Sequence, residues 1–209
     1  MTRLCVMDVD STLITAEVIE LIAERAGTRE EVAAVTESAM RGEIDFGESL
    51  RQRVATLEGV ADTVFAEVIA EVEYTPGVPE LVSGLQAAGW EVALVSGGFV
   101  EVVGSLAERL GISRYRANSL EVVDGRLTGR TQGPVIDREA KESALREFAA
   151  ELGCPLEDTV AIGDGANDLA MMGAAGLGIA WHAKPIVQEQ ADVALNGPRL
   201  DEALEIILR

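Results

Sequence analysis

The sequence predicts an α/β fold: a mostly parallel sheet with a helical block inserted after its first strand. Three observations carry this. The apolar run Leu4-Cys5-Val6-Met7 is too short for a helix and ends in polar residues, so it reads as a buried strand. From Thr75-Pro76-Gly77 onward, helical and strand patterns alternate, as in a parallel sheet with helices on both faces. Between them, residues 13–74 show helical periodicity and no convincing strand.

Taken in order, Ile19, Ile22, Ala23 and Ala26 form an amphipathic stripe that Gly27 ends. Thr28 with Glu31 has the form of a capping box for a second helix. A third helix carries Phe46, Leu50, Val54 and Leu57 on one face, and a fourth carries Val60, Val64, Val68 and Val72. Val78 to Gly89 is then a helix and Glu91 to Val95 a strand, followed by Ser96-Gly97-Gly98 and a helix to Leu110. A short strand is expected near Arg116-Ala117-Asn118, and a hairpin over Leu120 to Gln132 turning at Asp124-Gly125. A helix over Arg138–Leu152, strands at Thr159–Ile162 and Leu177–Ala180, and a last helix over Leu200–Leu208 complete the pattern.

The 209 residues suit one domain, or a domain with an insertion. The chain is 48% hydrophobic but only 4% aromatic, so its core must be built from Ala, Val, Leu and Ile. A net charge of −19 argues against nucleic acid or an anionic membrane as partner. An anionic substrate would need local Lys or Arg against that field. Cys5 and Cys154 have no metal-ligand or redox spacing and are expected as buried free thiols in a reducing compartment. No charged-then-apolar leader opens the sequence, and no apolar run approaches the roughly 18 residues of a membrane span. The expectation is a soluble cytoplasmic protein, monomer or homodimer, with a small-molecule substrate.

Chemistry concentrates at the strand ends. Asp8 and Asp10 are two apart in extended chain, so both can face one site at the carboxyl end of the first strand. Two adjacent like charges need a shared proton or a cation, and Mg²⁺ takes oxygen ligands; an Asp-rich turn is the plainer alternative. In Gly163-Asp164-Gly165-Ala166-Asn167-Asp168 another pair of carboxylates follows another strand, which would gather four acids at one sheet edge. Ser96-Gly97-Gly98, between a strand and a helix, is either an ordinary turn or an anion site of hydroxyl and main-chain N–H groups. Lys141 is either a surface lysine or a fixed positive charge for an anion. Arg53 shares a helix face with Phe46 and Leu50, where a guanidinium needs a partner unless it snorkels to the edge. Glu17 reads equally as a first-turn acid favoured by the helix dipole.

Asp8-Val9-Asp10-Ser11-Thr12, Ser96-Gly97-Gly98, Lys141 and Gly163-Asp164-Gly165-Ala166-Asn167-Asp168 match, in order, the four motifs of the haloacid dehalogenase (HAD) superfamily. Within it the whole chain resembles the phosphoserine-hydrolysing members, through Glu17-Val18-Ile19-Glu20, Ala39 to Phe46, Ser49 to Val54, Ser96 to Phe99 and Ala183-Lys184-Pro185. The resemblance implies a Rossmann-like core of residues 1–12 and 75–209, under a helical cap of residues 13–74. It implies Mg²⁺-dependent hydrolysis of O-phosphoserine, the last step of serine biosynthesis, through an aspartyl phosphate. Asp8 would be the nucleophile and Asp10 the acid and then the base. Asp8, the Asp10 main-chain carbonyl and Asp164 would hold the metal, with Asp168 in support. Ser96, Gly97 and Lys141 would bind phosphate, Glu17 the amine and Arg53 the carboxylate. Asn167 would assist near the phosphate, and Met40 and Phe46 would close the pocket.

Transfer of the phosphoryl group to homoserine or another small alcohol would use the same motifs, and a silent binding protein could keep the fold. The intact Asp8, Asp10, Lys141 and Asp164 argue against the silent form. His182, the only histidine, has no partner at ligand spacing and is expected to be structural or exposed; Trp90 and Trp181 are expected to be packing residues.

Overall fold

A computed structural model describes residues 2–40 and 43–209, without the side chains of Ala39 and Met40. Strand β1 (Arg3–Met7) is followed by an irregular turn over Val9–Leu13. Then come α1 (Val18–Ala26), α2 (Arg29–Met40), α3 (Phe46–Ala55), α4 (Val64–Glu71) and α5 (Val78–Ala87). Next are β2 (Trp90–Phe99), α6 (Val100–Arg109), β3 (Arg114–Val123), β4 (Arg126–Gln132) and α7 (Arg138–Leu152). The chain ends with β5 (Thr159–Gly163), α8 (Leu169–Ala174), β6 (Leu177–Trp181), α9 (Pro185–Gln188), β7 (Val193–Leu195) and α10 (Ala203–Ile207).

The strands form one sheet in the order β4-β3-β2-β1-β5-β6-β7. All pairings are parallel except that of β3 with β4, the expected hairpin. Asp124 and Gly125 both take positive φ at its tip, which suits a tight hairpin turn. β1 lies in the middle, and Leu4 to Met7 are fully buried because parallel sheets are covered on both faces. Its residues alternate between two cores. Cys5 and Met7 face a core shared with α1, α5 and α6, while Leu4 and Val6 face one formed with α7 and α8. The carboxyl ends of β1, β2 and β5 are neighbours, so the loops that follow them meet.

Helices α1 to α4 lie between β1 and α5. α1 ends at Gly27 in the left-handed region, as its position predicts. α2 packs on α1 and α3, α3 packs on β4, and α4 packs on α1 and α6. The chain enters and leaves this block side by side. Ile14 pairs with Tyr74, Thr15 N–H donates to Glu73 O at 3.2 Å, and Thr75 N–H donates to Leu13 O at 2.9 Å. Residues 59–62 also dock on the hairpin: Gly59 N–H donates to Leu127 O and Leu127 N–H to Val60 O, both at 2.8 Å.

Several boundaries differ from expectation. β2 runs through Ser96-Gly97-Gly98 to Phe99, so the tripeptide belongs to the strand end and α6 begins only at Val100. The short strand near Asn118 and the first arm of the hairpin are one strand, β3. α4 starts at Val64, leaving Val60 in the loop held by the hairpin. β7 and α9 had no legible periodicity, being three and four residues long.

Cys5 is fully buried, and burial pushes its thiol up to about 12. At pH 8 an aromatic disulfide reagent should therefore leave Cys5 unmodified in the native protein and label it in denaturant. Fast native labelling of Cys5 would mean that the sheet centre opens.

Candidate active site

The loops after β1, β2, β5 and β6 and the start of α7 surround a cavity of about 640 Å³, whose remaining wall comes from α1, α2, α3 and α9. Asp8, Asp10, Glu17, Phe46, Arg53, Gly97, Lys141, Asp164 and Asn167 line it. Each was singled out from sequence, and the fold brings them together. Ser96 lies just beneath, fully buried. Met40 ends α2, and its side chain lies outside the described residues.

Lys141 is the centre of the charge arrangement. It is 1% exposed, and its Nζ lies 2.7 Å from Asp8 Oδ1 and 2.7 Å from Asp168 Oδ1. Burial alone would lower its pKa, but Asp168 and Asp8 outweigh burial and raise it, so it stays charged. The plain alternative of a solvated surface lysine is excluded by this burial. Asp168 is held at both ends, since its Oδ2 accepts Gly165 N–H at 3.0 Å. A Cβ at Gly163 would come 2.4 Å from Asp168 Cγ, so the glycine makes room for that carboxylate.

One oxygen from each of Asp8, Asp164 and Asp168 lies within 4.8 Å of the others. Burial, then repulsion from Asp168 and Asp164, raises the Asp8 pKa well above the carboxylate range, with Lys141 opposing. Burial and Asp168 likewise push Asp164 up to about 6. Asp8 Oδ1 is buried, and its contact with Lys141 is an ion pair outside hydrogen-bond alignment. A cluster with three carboxylates to one shared ammonium suits a metal ion.

The sequence expectation of four gathered carboxylates needs correction. Asp10 is not in the cluster. Its side chain turns to the start of α1, where Oδ1 accepts Val18 N–H at 3.1 Å, and toward Gly98, where an added Cβ would meet Oδ2 at 2.8 Å. The cause is the irregular turn that begins at Val9, the residue between the two acids, so extended geometry is already lost there. Alternation along a strand therefore ends before Asp10. Burial, then the neighbouring Glu17, pushes Asp10 up to about 8 despite the Val18 hydrogen bond and Lys141.

Glu17 precedes α1 and accepts Ser11 Oγ–H at 2.6 Å. Arg53, on α3, is half-buried; its Nε–H donates to Ser49 O at 3.3 Å, the only hydrogen bond of its side chain among the described residues. Burial lowers the Arg53 pKa, and Glu17 and Asp10 oppose this. The cavity thus holds an acid and a guanidinium of opposite charge on its helical wall. Phe46 reaches across to the sheet: a Cβ on Gly97 would lie 3.3 Å from Phe46 Cζ. His182, expected to be structural or exposed, is exposed and also lines the cavity with Lys184, Ile186 and Val187. Its ring packs edge-on to Trp181 and its Nε2 pairs with Gly197 O at 2.8 Å. The signal available for these residues was their position just past β6, since loops after parallel strands line such sites.

A family model for haloacid dehalogenase-like hydrolases matches residues 5–173, and the chain belongs to this family. It is 56% identical over 205 residues to a phosphoserine phosphatase of Streptomyces coelicolor, covering 98% of this chain and 50% of that protein. To a phosphoserine phosphatase of Streptococcus thermophilus it is 50% identical over 204 residues, covering 98% of this chain and 95% of that one. The chain thus spans half the length of the first relative and nearly all of the second. A solved structure described as a phospho-aspartyl intermediate analogue of phosphoserine phosphatase superposes with a TM-score of 0.93 at 43% identity, covering 99% of both chains. No helix among the described residues is long and apolar enough to cross a membrane.

Removing the shared ammonium would strand two buried carboxylates. Lys141→Met should therefore destabilise the metal-free protein by roughly 3–5 kcal/mol in denaturant unfolding. An unchanged unfolding midpoint would show that Asp8 and Asp168 do not depend on it.

Proposed function

We propose that the chain is a Mg²⁺-dependent phosphoserine phosphatase of the cytoplasm, releasing serine and phosphate through an aspartyl phosphate on Asp8. The observation that carries this is one cavity with two chemistries. Its floor has a buried carboxylate–lysine–carboxylate group beside the Gly97-Gly98 segment, and its helical wall has one acid and one arginine. The relatives' names and the phospho-aspartyl analogue support the same reading.

In this reading residues 13–74 are a cap, hinged where Ile14 and Tyr74 run together. Asp8, Asp164 and the Asp10 carbonyl would hold Mg²⁺, with Asp168 in support while it positions Lys141. The bound metal would offset the charge of phosphate and of Asp8. An Asp8 oxygen bonds to phosphorus as the bond from phosphorus to the serine oxygen breaks, and Asp10, protonated near neutral pH, gives that oxygen its proton. Water then attacks phosphorus, Asp10 takes a proton from it, and the bond to Asp8 breaks to release phosphate. Lys141, Ser96 and Gly97 hold the phosphoryl oxygens, with Asn167 beside them. Glu17 takes the amine and Arg53 the carboxylate as a two-pronged donor, with Phe46 and Met40 closing over the substrate.

Phosphate release from a panel of phosphomonoesters should favour phosphoserine, require Mg²⁺, stop with chelator and disappear in Asp8→Asn. Full activity in chelator, or more than a few per cent in Asp8→Asn, would overturn the reading. Adding homoserine should yield no phosphate ester.

Losing one partner of a desolvated charge pair costs roughly 2–5 kcal/mol. At about 1.4 kcal/mol per tenfold, Arg53→Ala should lower kcat/KM for phosphoserine by more than tenfold. Phosphoethanolamine, which has no carboxylate, should barely respond. Glu17→Gln should hurt phosphoserine far more than phospholactate, which has no amine. Equal losses on phosphoserine and phosphoethanolamine in Arg53→Ala would make Arg53 a phosphate or packing residue.

A further inference from the structure

β2 and β3 pair in parallel as far as Val95–Arg116, and again only at Phe99–Asn118. In between, Ser96-Gly97-Gly98 leaves the ladder, so the Gly97 carbonyl loses a main-chain donor from β3. A partly buried carbonyl that loses its ladder partner needs another donor. The Asn118 side chain supplies it: Nδ2–H donates to Gly97 O at 2.7 Å. Its other end accepts Ile136 N–H, at 2.8 Å to Oδ1. The carbonyl on one side and the N–H on the other fix which end of the amide is which. Asn118 is 1% exposed and does not line the cavity.

Two consequences follow. The Gly97 carbonyl and the Gly98 N–H belong to one planar peptide and point in opposite directions. Holding the carbonyl therefore aims the Gly98 N–H, which donates to Ser96 Oγ at 2.8 Å. With that donor on its oxygen, the Ser96 hydroxyl is left to donate its own proton elsewhere. Ile136, the second partner, lies one residue before Asp137, which caps α7 by accepting Ala140 N–H at 2.9 Å. Lys141 N–H also donates to Asp137 O at 2.9 Å. One amide thus ties the Ser96 loop to the start of the helix that carries Lys141.

We propose that Asn118 is a positioning residue for phosphate binding: through the Gly97–Gly98 peptide it sets the Ser96 hydroxyl as a donor, and through Ile136 it registers the Lys141 helix against that loop. The proposal rests on the assignment of Ser96 and Lys141 to phosphate made above, and adds a residue that never touches the substrate.

The test is a double-mutant cycle read as inorganic phosphate binding by calorimetry, with Mg²⁺ present, on wild type, Ser96→Ala, Asn118→Ala and the double variant. L-serine inhibition is measured alongside. Asn118→Ala should weaken phosphate about tenfold, about 1.4 kcal/mol, and leave the inhibition constant of serine unchanged. In the Ser96→Ala background the same change should add less than about threefold, because the hydroxyl it aims is gone. Asn118→Asp is isosteric and keeps the acceptor for Ile136, so it serves where the alanine variant does not fold; at pH 8 it should show the same selective loss. Full phosphate affinity in either Asn118 variant, equal losses for phosphate and serine, or fully additive losses with Ser96→Ala would overturn the proposal. Unchanged phosphate binding in Ser96→Ala alone would overturn the phosphate assignment itself, and the role of Asn118 with it.

Discussion

The contact on which the rest of the site depends is the buried ammonium of Lys141 between Asp8 and Asp168. Burying three charged groups is costly unless they neutralise one another. The elements around them are arranged to permit it. β1 delivers Asp8, α7 delivers Lys141, and Asp168 comes from the turn after β5, where Gly163 has no side chain to displace it. The group is still short of positive charge, with Asp164 as a third carboxylate beside the one ammonium. Stability and chemistry meet here, because the same excess of negative charge that makes burial costly favours a cation.

Around this floor, the chain separates two tasks by origin. Groups from the strand ends and α7 form the floor assigned above to phosphate, and groups from α1 and α3 form the wall assigned to what is attached to it. Ser11 links the two: its left-handed backbone redirects the chain just after Asp10, and its hydroxyl donates to Glu17 at 2.6 Å. Asp10 then sits between the phosphate floor and the acidic wall. Burial and Glu17 raise its pKa, which is what the acid role proposed for it would require. The docking of residues 59–62 on the hairpin fixes the far end of the helical block, so relative movement would centre on the paired strands at Ile14 and Tyr74.

Much of this was legible in the chain. The apolar runs, the glycines after helices and the Asp-Gly hairpin tip have local physical causes, and they placed most elements within a few residues. What local pattern could not supply was register. Nothing in Ser96-Gly97-Gly98 says that β2 continues through it; that depends on pairing with β1 and β3. β7 and α9 were too short to show a period and exist because β6 and the second core provide a surface for them.

The sequence by itself determined which chemistry was available: acids in pairs after strands, one lysine and one arginine in helical patterns against a charge of −19, and a hydroxyl before two glycines. These are statements about residue type and spacing, and local rules reach them. Only the tertiary structure decided how the groups were shared out. It gave Lys141 to two carboxylates at once, withdrew Asp10 from the cluster, put His182 on the wall and made Asn118 the support of the Ser96 loop. Each of these depends on distances between residues far apart in the chain. Such distances come from how sheet register and helix packing close around one another, and no spacing along the sequence encodes them.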